Sequence, residues 1–149
     1  MAFFAGIRQD ESGVAAIEFA LLAPLLVLFL VGTIEVGTAA YRAMQVQAAA
    51  EAGAYYASIN RFDSEGIANA VSGANHPRIT ATPAPSLFRA CPSSTGLTEQ
   101  ACSSTCVCPD GSQPGQYVRI SSQMILDPPI LEGLGIPRTL TGEAVVRIY

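Results

Sequence analysis

Gly13-Val14-Ala15-Ala16-Ile17-Glu18-Phe19 runs without a break into Ala20-Leu21-Leu22-Ala23-Pro24-Leu25-Leu26-Val27-Leu28-Phe29-Leu30-Val31-Gly32-Thr33-Ile34. A helix from Val14 to Ile34 would span roughly 30 Å, the hydrocarbon thickness of a bilayer. Thirteen of these residues are Val, Ile, Leu or Phe. At about −0.3 to −0.6 kcal/mol each they offset one acid, which costs at most about 3 kcal/mol at mid-membrane. Glu18 lies near one end of the run and should cost less. An acid kept in such a run is by default a functional residue. The plain alternative is that Glu18 marks where the membrane segment begins.

Outward from this stretch, the helical pattern continues. Between Glu35 and Ala54 the chain is rich in Ala, the best helix former, and no Pro interrupts it. One helix over 14–60 is predicted, with 14–36 in the membrane. Met44, Ala48, Glu51/Ala52 and Tyr55 recur at three- and four-residue spacing, a stripe expected to pack on the chain's own head and against neighbours. Asn60 stops the helix and Asp63/Ser64 cap a second, short one that ends at Gly73.

Of 149 residues, about 90 remain for a soluble part, enough for one small domain over 61–149. Eight Arg, no Lys and twelve acids give a formal charge of −4. That charge supplies no basic surface for nucleic acid, and the absence of Lys excludes Walker-type phosphate loops and Schiff-base chemistry. His76 stands alone beside Pro77 and is assigned no role. No nucleophile, base and orienter assemble in the sequence, so neither an enzyme nor a cofactor is expected.

Arg78–Thr82 reads as a short strand. Residues 83–115, rich in Pro, Ser, Thr and Gly, hold all four cysteines, Cys91, Cys102, Cys106 and Cys108. This segment is expected to be a loop that needs covalent staples. Downstream of an export signal an even count reads as two disulfides, with three connectivities open. Cys106 and Cys108 are each expected to pair with an outer partner. The spacing lacks the paired Cys-x2-Cys of zinc ribbons, so no metal site is assigned. Tyr117–Leu126 and Thr139–Tyr149 alternate as strands. Val118, Ile120, Ser122 and Met124 share one face of the first; Ala144, Val146 and Ile148 share one face of the second. The Ile and Leu residues of the intervening 127–137 connection are expected to cover the sheet edge. The fold class is therefore α+β: one long membrane-spanning helix, a short second helix, and a small antiparallel sheet with a disulfide-stapled loop.

Gly13, four residues, Glu18 and Phe19 at the mouth of an apolar helix resemble the processing site of type IV prepilins, especially tight-adherence (Flp-type) subunits. With Glu35-Val36-Gly37 further along the helix and the two closing strands, the chain resembles the TadE-like family of minor pilins or pseudopilins. The resemblance implies a leader over 1–13 and cleavage between Gly13 and Val14 by a prepilin peptidase. It also implies an assembly role for Glu18 and Phe19. Its implied partners are the membrane, the major Flp-type pilin, other minor pilins and the assembly platform. Its implied location is the bacterial inner membrane, with the head outside or in the pilus. The leader departs from the usual prepilin pattern, since Asp10 and Glu11 outweigh Arg8. An ordinary secretory signal cut near Ala48-Ala49-Ala50 is disfavoured, because the apolar run is too long and carries Glu18. The competing class is a signal-anchored extracytoplasmic binding module with a disulfide-stabilised head.

Overall fold

A computed structural model describes residues 11–74, 77–94, 96–101, 106–127 and 138–148. His76, Cys102 and the apolar connection from 128 to 137 lie outside the described residues, as does most of the leader. The chain divides into two units, Met1–Thr38 and Ala39–Tyr149. A single helix, α1 (Glu11–Asn60), contributes to both.

In the first unit α1 is apolar on every side. Phe19, Leu21 and Phe29 are each more than 65% exposed, and none of the most apolar window is buried. With its most apolar eighteen residues averaging a hydropathy of 2.6, this helix is long and apolar enough to cross a membrane. Pro24 sits inside it without ending it. The hydroxyls of Thr33 and Thr38 donate back to the carbonyls of Phe29 and Glu35 at 2.8 and 3.0 Å. Both hydroxyls are thereby satisfied within the helix, as a lipid surrounding requires.

In the second unit the same helix turns amphipathic. Val46, Ala49, Ala50, Gly53 and Ala57 form its buried stripe. Small residues there bring the backbone close to the sheet. A Cβ on Gly53 would lie 2.6 Å from Val71 Cγ2, and one on Gly142 would lie 2.9 Å from the Val46 carbonyl oxygen. The Met44, Ala48, Glu51 and Tyr55 stripe does not pack on the head. Met44 is 63% and Tyr55 71% exposed, because the buried face runs through Val46 and Gly53 instead.

Asn60 Nδ2 donates to the Tyr56 carbonyl, and Arg61 adopts φ 64°, the left-handed residue that ends α1. Asp63 then precedes α2 (Ser64–Gly73). Its carboxylate makes no capping bond and instead accepts the Tyr56 hydroxyl at 3.3 Å. Ile67 and Val71 turn the buried face of α2 inward.

The sheet comprises β1 (Ile79–Thr80), β2 (Ser86–Ser93), β3 (Gly96–Glu99), β4 (Gly115–Ile125) and β5 (Thr139–Ile148). All pairings are antiparallel. β4 is central, with β5 along its whole length on one side and β2 and then β1 on the other. β3 closes a hairpin on β2, so the cysteine-bearing segment read as a loop carries two strands. The alternation expected for β4 and β5 holds: Val118, Ile120, Ser122 and Met124 are buried, and Ile148 closes the same face from β5. The buried Ser122 hydroxyl donates to the Val46 carbonyl at 2.7 Å, so this polar group in the core is satisfied. Beside it, the Gln47 amide donates to the Glu143 carbonyl at 3.1 Å and accepts from its N–H, tying α1 to β5.

Candidate assembly site on the long helix

Gly13 and Val14 lie in the opening turns of α1, and both are exposed. A Cβ on Gly13 would meet nothing within 4 Å. Packing therefore does not require glycine here, and helix propensity disfavours it by about 1 kcal/mol relative to Ala. Val14 and Glu18 are four residues apart on one helix, hence on one face and about 6 Å apart along the axis. Glu18 is exposed, and among the described residues it has no ion pair or hydrogen-bonding partner for its carboxylate. Phe19, 67% exposed, projects next to it. Glu35 differs: it is 9% exposed and engaged. Between residues 13 and 38 the helix thus carries one exposed acid, Glu18, and one sheltered acid, Glu35.

Cys91 of β2 is bonded to Cys108, with Cα atoms 5.6 Å apart, and both are buried. Cys106 is disulfide-bonded as well, and no described cysteine is free. The Cys108 turn is closed by Cys108 N–H donating to the Ser112 carbonyl and Gly111 N–H donating to the Cys108 carbonyl, each at 2.8 Å. Gly111 takes φ 82°, which glycine tolerates without a Cβ penalty. Asp110 accepts both the hydroxyl and the N–H of Ser112, and these bonds hold its carboxyl below the usual range.

On the face of the sheet opposite α1, Arg119 ties four strands together. It pairs with Glu99 of β3, its Nε lies 2.9 Å from Glu143 Oε1 of β5, and its guanidinium sits 4.8 Å from the Phe88 ring centroid of β2. The Nε is buried and approaches Glu143 off the N–H direction, so this contact is an ion pair rather than a well-aligned hydrogen bond. Phe88 in turn stacks on Tyr117 at 5.8 Å. Sequence alternation placed Arg119 on this face. Its partners were not legible because β2 and β3 were not read as strands. Such half-exposed pairs are worth about 1 kcal/mol or less each, so this cluster fixes register more than it adds stability. Among the described residues no group of three or more His, Cys, Asp or Glu could hold a metal ion.

The model of the family described as TadE-like protein matches residues 13–54. No curated protein and no solved structure matches the chain. The matched stretch begins at the glycine preceding Val14 and includes Glu18, Phe19 and Glu35. It ends within the part of α1 that packs on the head. Residues 13–54 therefore carry the pattern of the TadE-like family, as the Gly13–Phe19 and Glu35–Gly37 motifs implied, and residues 55–149 lie outside the match.

Proposed function

We propose that this chain is a minor pilin or pseudopilin of a tight-adherence pilus system, with a structural rather than a catalytic role. The observation that carries the reading is a coincidence of position. The family match opens on Gly13, four residues before the Ile17-Glu18 step, where an exposed apolar helix begins. In this reading a prepilin peptidase cuts after Gly13 and frees the Val14 amine at the membrane edge. A bare ammonium there is costly unless paired. The chain's own Glu18 lies one turn deeper and compensates it in part. The amine of an adjacent subunit, shifted along the axis, pairs with Glu18 fully and sets axial register. The unneeded glycine at position 13 supports the same view, since a peptidase that requires backbone access explains it where packing does not.

The inner membrane would hold residues 14–36, and the head would lie on the outer side. Disulfide-bonded Cys91, Cys106 and Cys108 support export, because such bonds persist in oxidising compartments. The test is fractionation of the host that makes the pilus. The chain is expected either in sheared filaments or cross-linked to pilus subunits in membranes. Recovery as a lone membrane protein, with no pilus component attached, would favour the signal-anchored binding module instead.

A further inference from the structure

Among the described residues, Arg78, Arg89, Arg119, Arg138 and Arg147 lie on or beside the strands of the sheet, and all but Arg89 are engaged. Arg89 is half-buried in β2, and its guanidinium has neither an ion pair nor a hydrogen-bonding partner. A polar group that gives up part of its hydration without a partner leaves that cost uncompensated. The neighbours of Arg89 do not relieve it. Its cross-strand partner on β4 is Gln116, whose own partner on β5 is Ile148, so an uncharged amide and an alkyl group follow it in register across the sheet. On the outer side of β2 the Gln100 N–H donates to the Arg89 carbonyl at 2.9 Å, which sets a second glutamine alongside. Glu99, one residue earlier, is taken by Arg119.

Arg89 and Gln116 line two open cavities, of about 490 and about 400 Å³. Both volumes suit a small organic group. Leu87, Glu99 and Gln100 also line the larger one, and Leu87 is 47% exposed. The charged residues of that lining, Arg89 and Glu99, sum to no net charge, which disfavours a doubly charged phosphate. A single carboxylate fits better. Its two oxygens match the planar guanidinium fork, and the amides of Gln100 and Gln116 can donate to the lone pairs left over. We propose that Arg89, with Gln100 and Gln116, forms a subsite for a carboxylate, carried by a peptide side chain or by a free organic acid. The subsite lies within the second unit alone and requires no particular reading of the apolar part of α1.

The test is heteronuclear NMR of the full chain in micelles, titrated with three probes: acetylated and amidated Ala-Glu-Ala, the same peptide with Gln in place of Glu, and glutarate. The Glu peptide is expected to give saturable shifts of the Arg89 Nε–H and of the Gln100 and Gln116 side-chain amides. The Gln peptide should give none. Matching shifts with glutarate support a subsite open to free acids, whereas shifts with the Glu peptide alone support one for a polypeptide. Arg89→Gln should weaken binding roughly tenfold or more, and Arg89→Lys, which keeps the charge and loses the fork, should fall between. Arg61→Gln, exposed at the end of α1, should leave it unchanged. Backbone signals away from β2 that match the wild type show that each variant is folded. The proposal is overturned by an absence of saturable shifts with either acid, by equal shifts from the Gln peptide, by binding that survives Arg89→Gln, or by tighter binding of inorganic phosphate.

Discussion

Glu18→Gln and Glu18→Ala are expected to leave membrane insertion intact and to abolish cross-linking of this chain to other pilus subunits. Removing an acid from an apolar helix lowers the cost of insertion, so a mere boundary marker would be replaced without harm. An acid that pairs with a neighbour's amine in a water-poor surrounding behaves otherwise. Deleting one member strands the other charge at a cost of about 3–5 kcal/mol, enough to weaken association more than about a hundredfold. The exposed, unpartnered carboxylate on α1 is available for such a contact. Glu18→Asp keeps the charge and shortens the reach by about one methylene, and a partial loss is expected. The measurement is cross-linking in membranes of the pilus-producing host, each variant against wild type. Unchanged cross-linking in all three variants would leave Glu18 as a boundary marker only.

Joint replacement of Cys91 and Cys108 by Ala is expected to destabilise the head by about 3 kcal/mol. The two are separated by 17 positions, and releasing a loop of that length restores roughly this much conformational entropy to the unfolded chain. The hairpin of β2 and β3 depends on the bond because little apolar surface holds it. All four residues of β3 are exposed, and of β2 only Ala90 and Cys91 are buried. Urea denaturation of the full chain in micelles measures the loss as a lower midpoint. Before reduction the wild-type cysteines should resist alkylation, and their mass should correspond to two disulfides. A loss under about 1 kcal/mol would mean that strand pairing alone holds the hairpin.

The parts of the fold that were legible in the sequence are those where one periodicity rules. The apolar run from Val14 to Ile34 and the alternation through Val118, Ile120, Ser122 and Met124 each announce their element. β2 and β3 were hidden because Pro92 sits within a strand and Gly96 at the start of the next. Both residues speak locally against strand, and the antiparallel pairing of β2 with β3, anchored where β2 pairs with β4, overrides them. The stripe at Met44, Ala48 and Tyr55 has helical spacing, as does the buried stripe at Val46, Ala49, Gly53 and Ala57. Spacing alone does not say which face meets the sheet; the close approach at Gly53 and Gly142 decides it. Asp63 was legible as a helix start, while its side chain's contact with Tyr56 depends on how α1 and α2 pack. The residues we propose for processing and assembly, Gly13, Val14, Glu18 and Phe19, could be picked out in the sequence because they lie close together at the start of one helix.

The central claim is that Gly13 and Val14 form a processing site on an assembly helix. Intact mass of the chain after co-expression with its cognate prepilin peptidase tests it most directly. The account predicts loss of the first thirteen residues, leaving Val14 as the new start, and no shortening for Gly13→Val. A chain that remains full length beside an active peptidase, or one cut near Ala50, would contradict it.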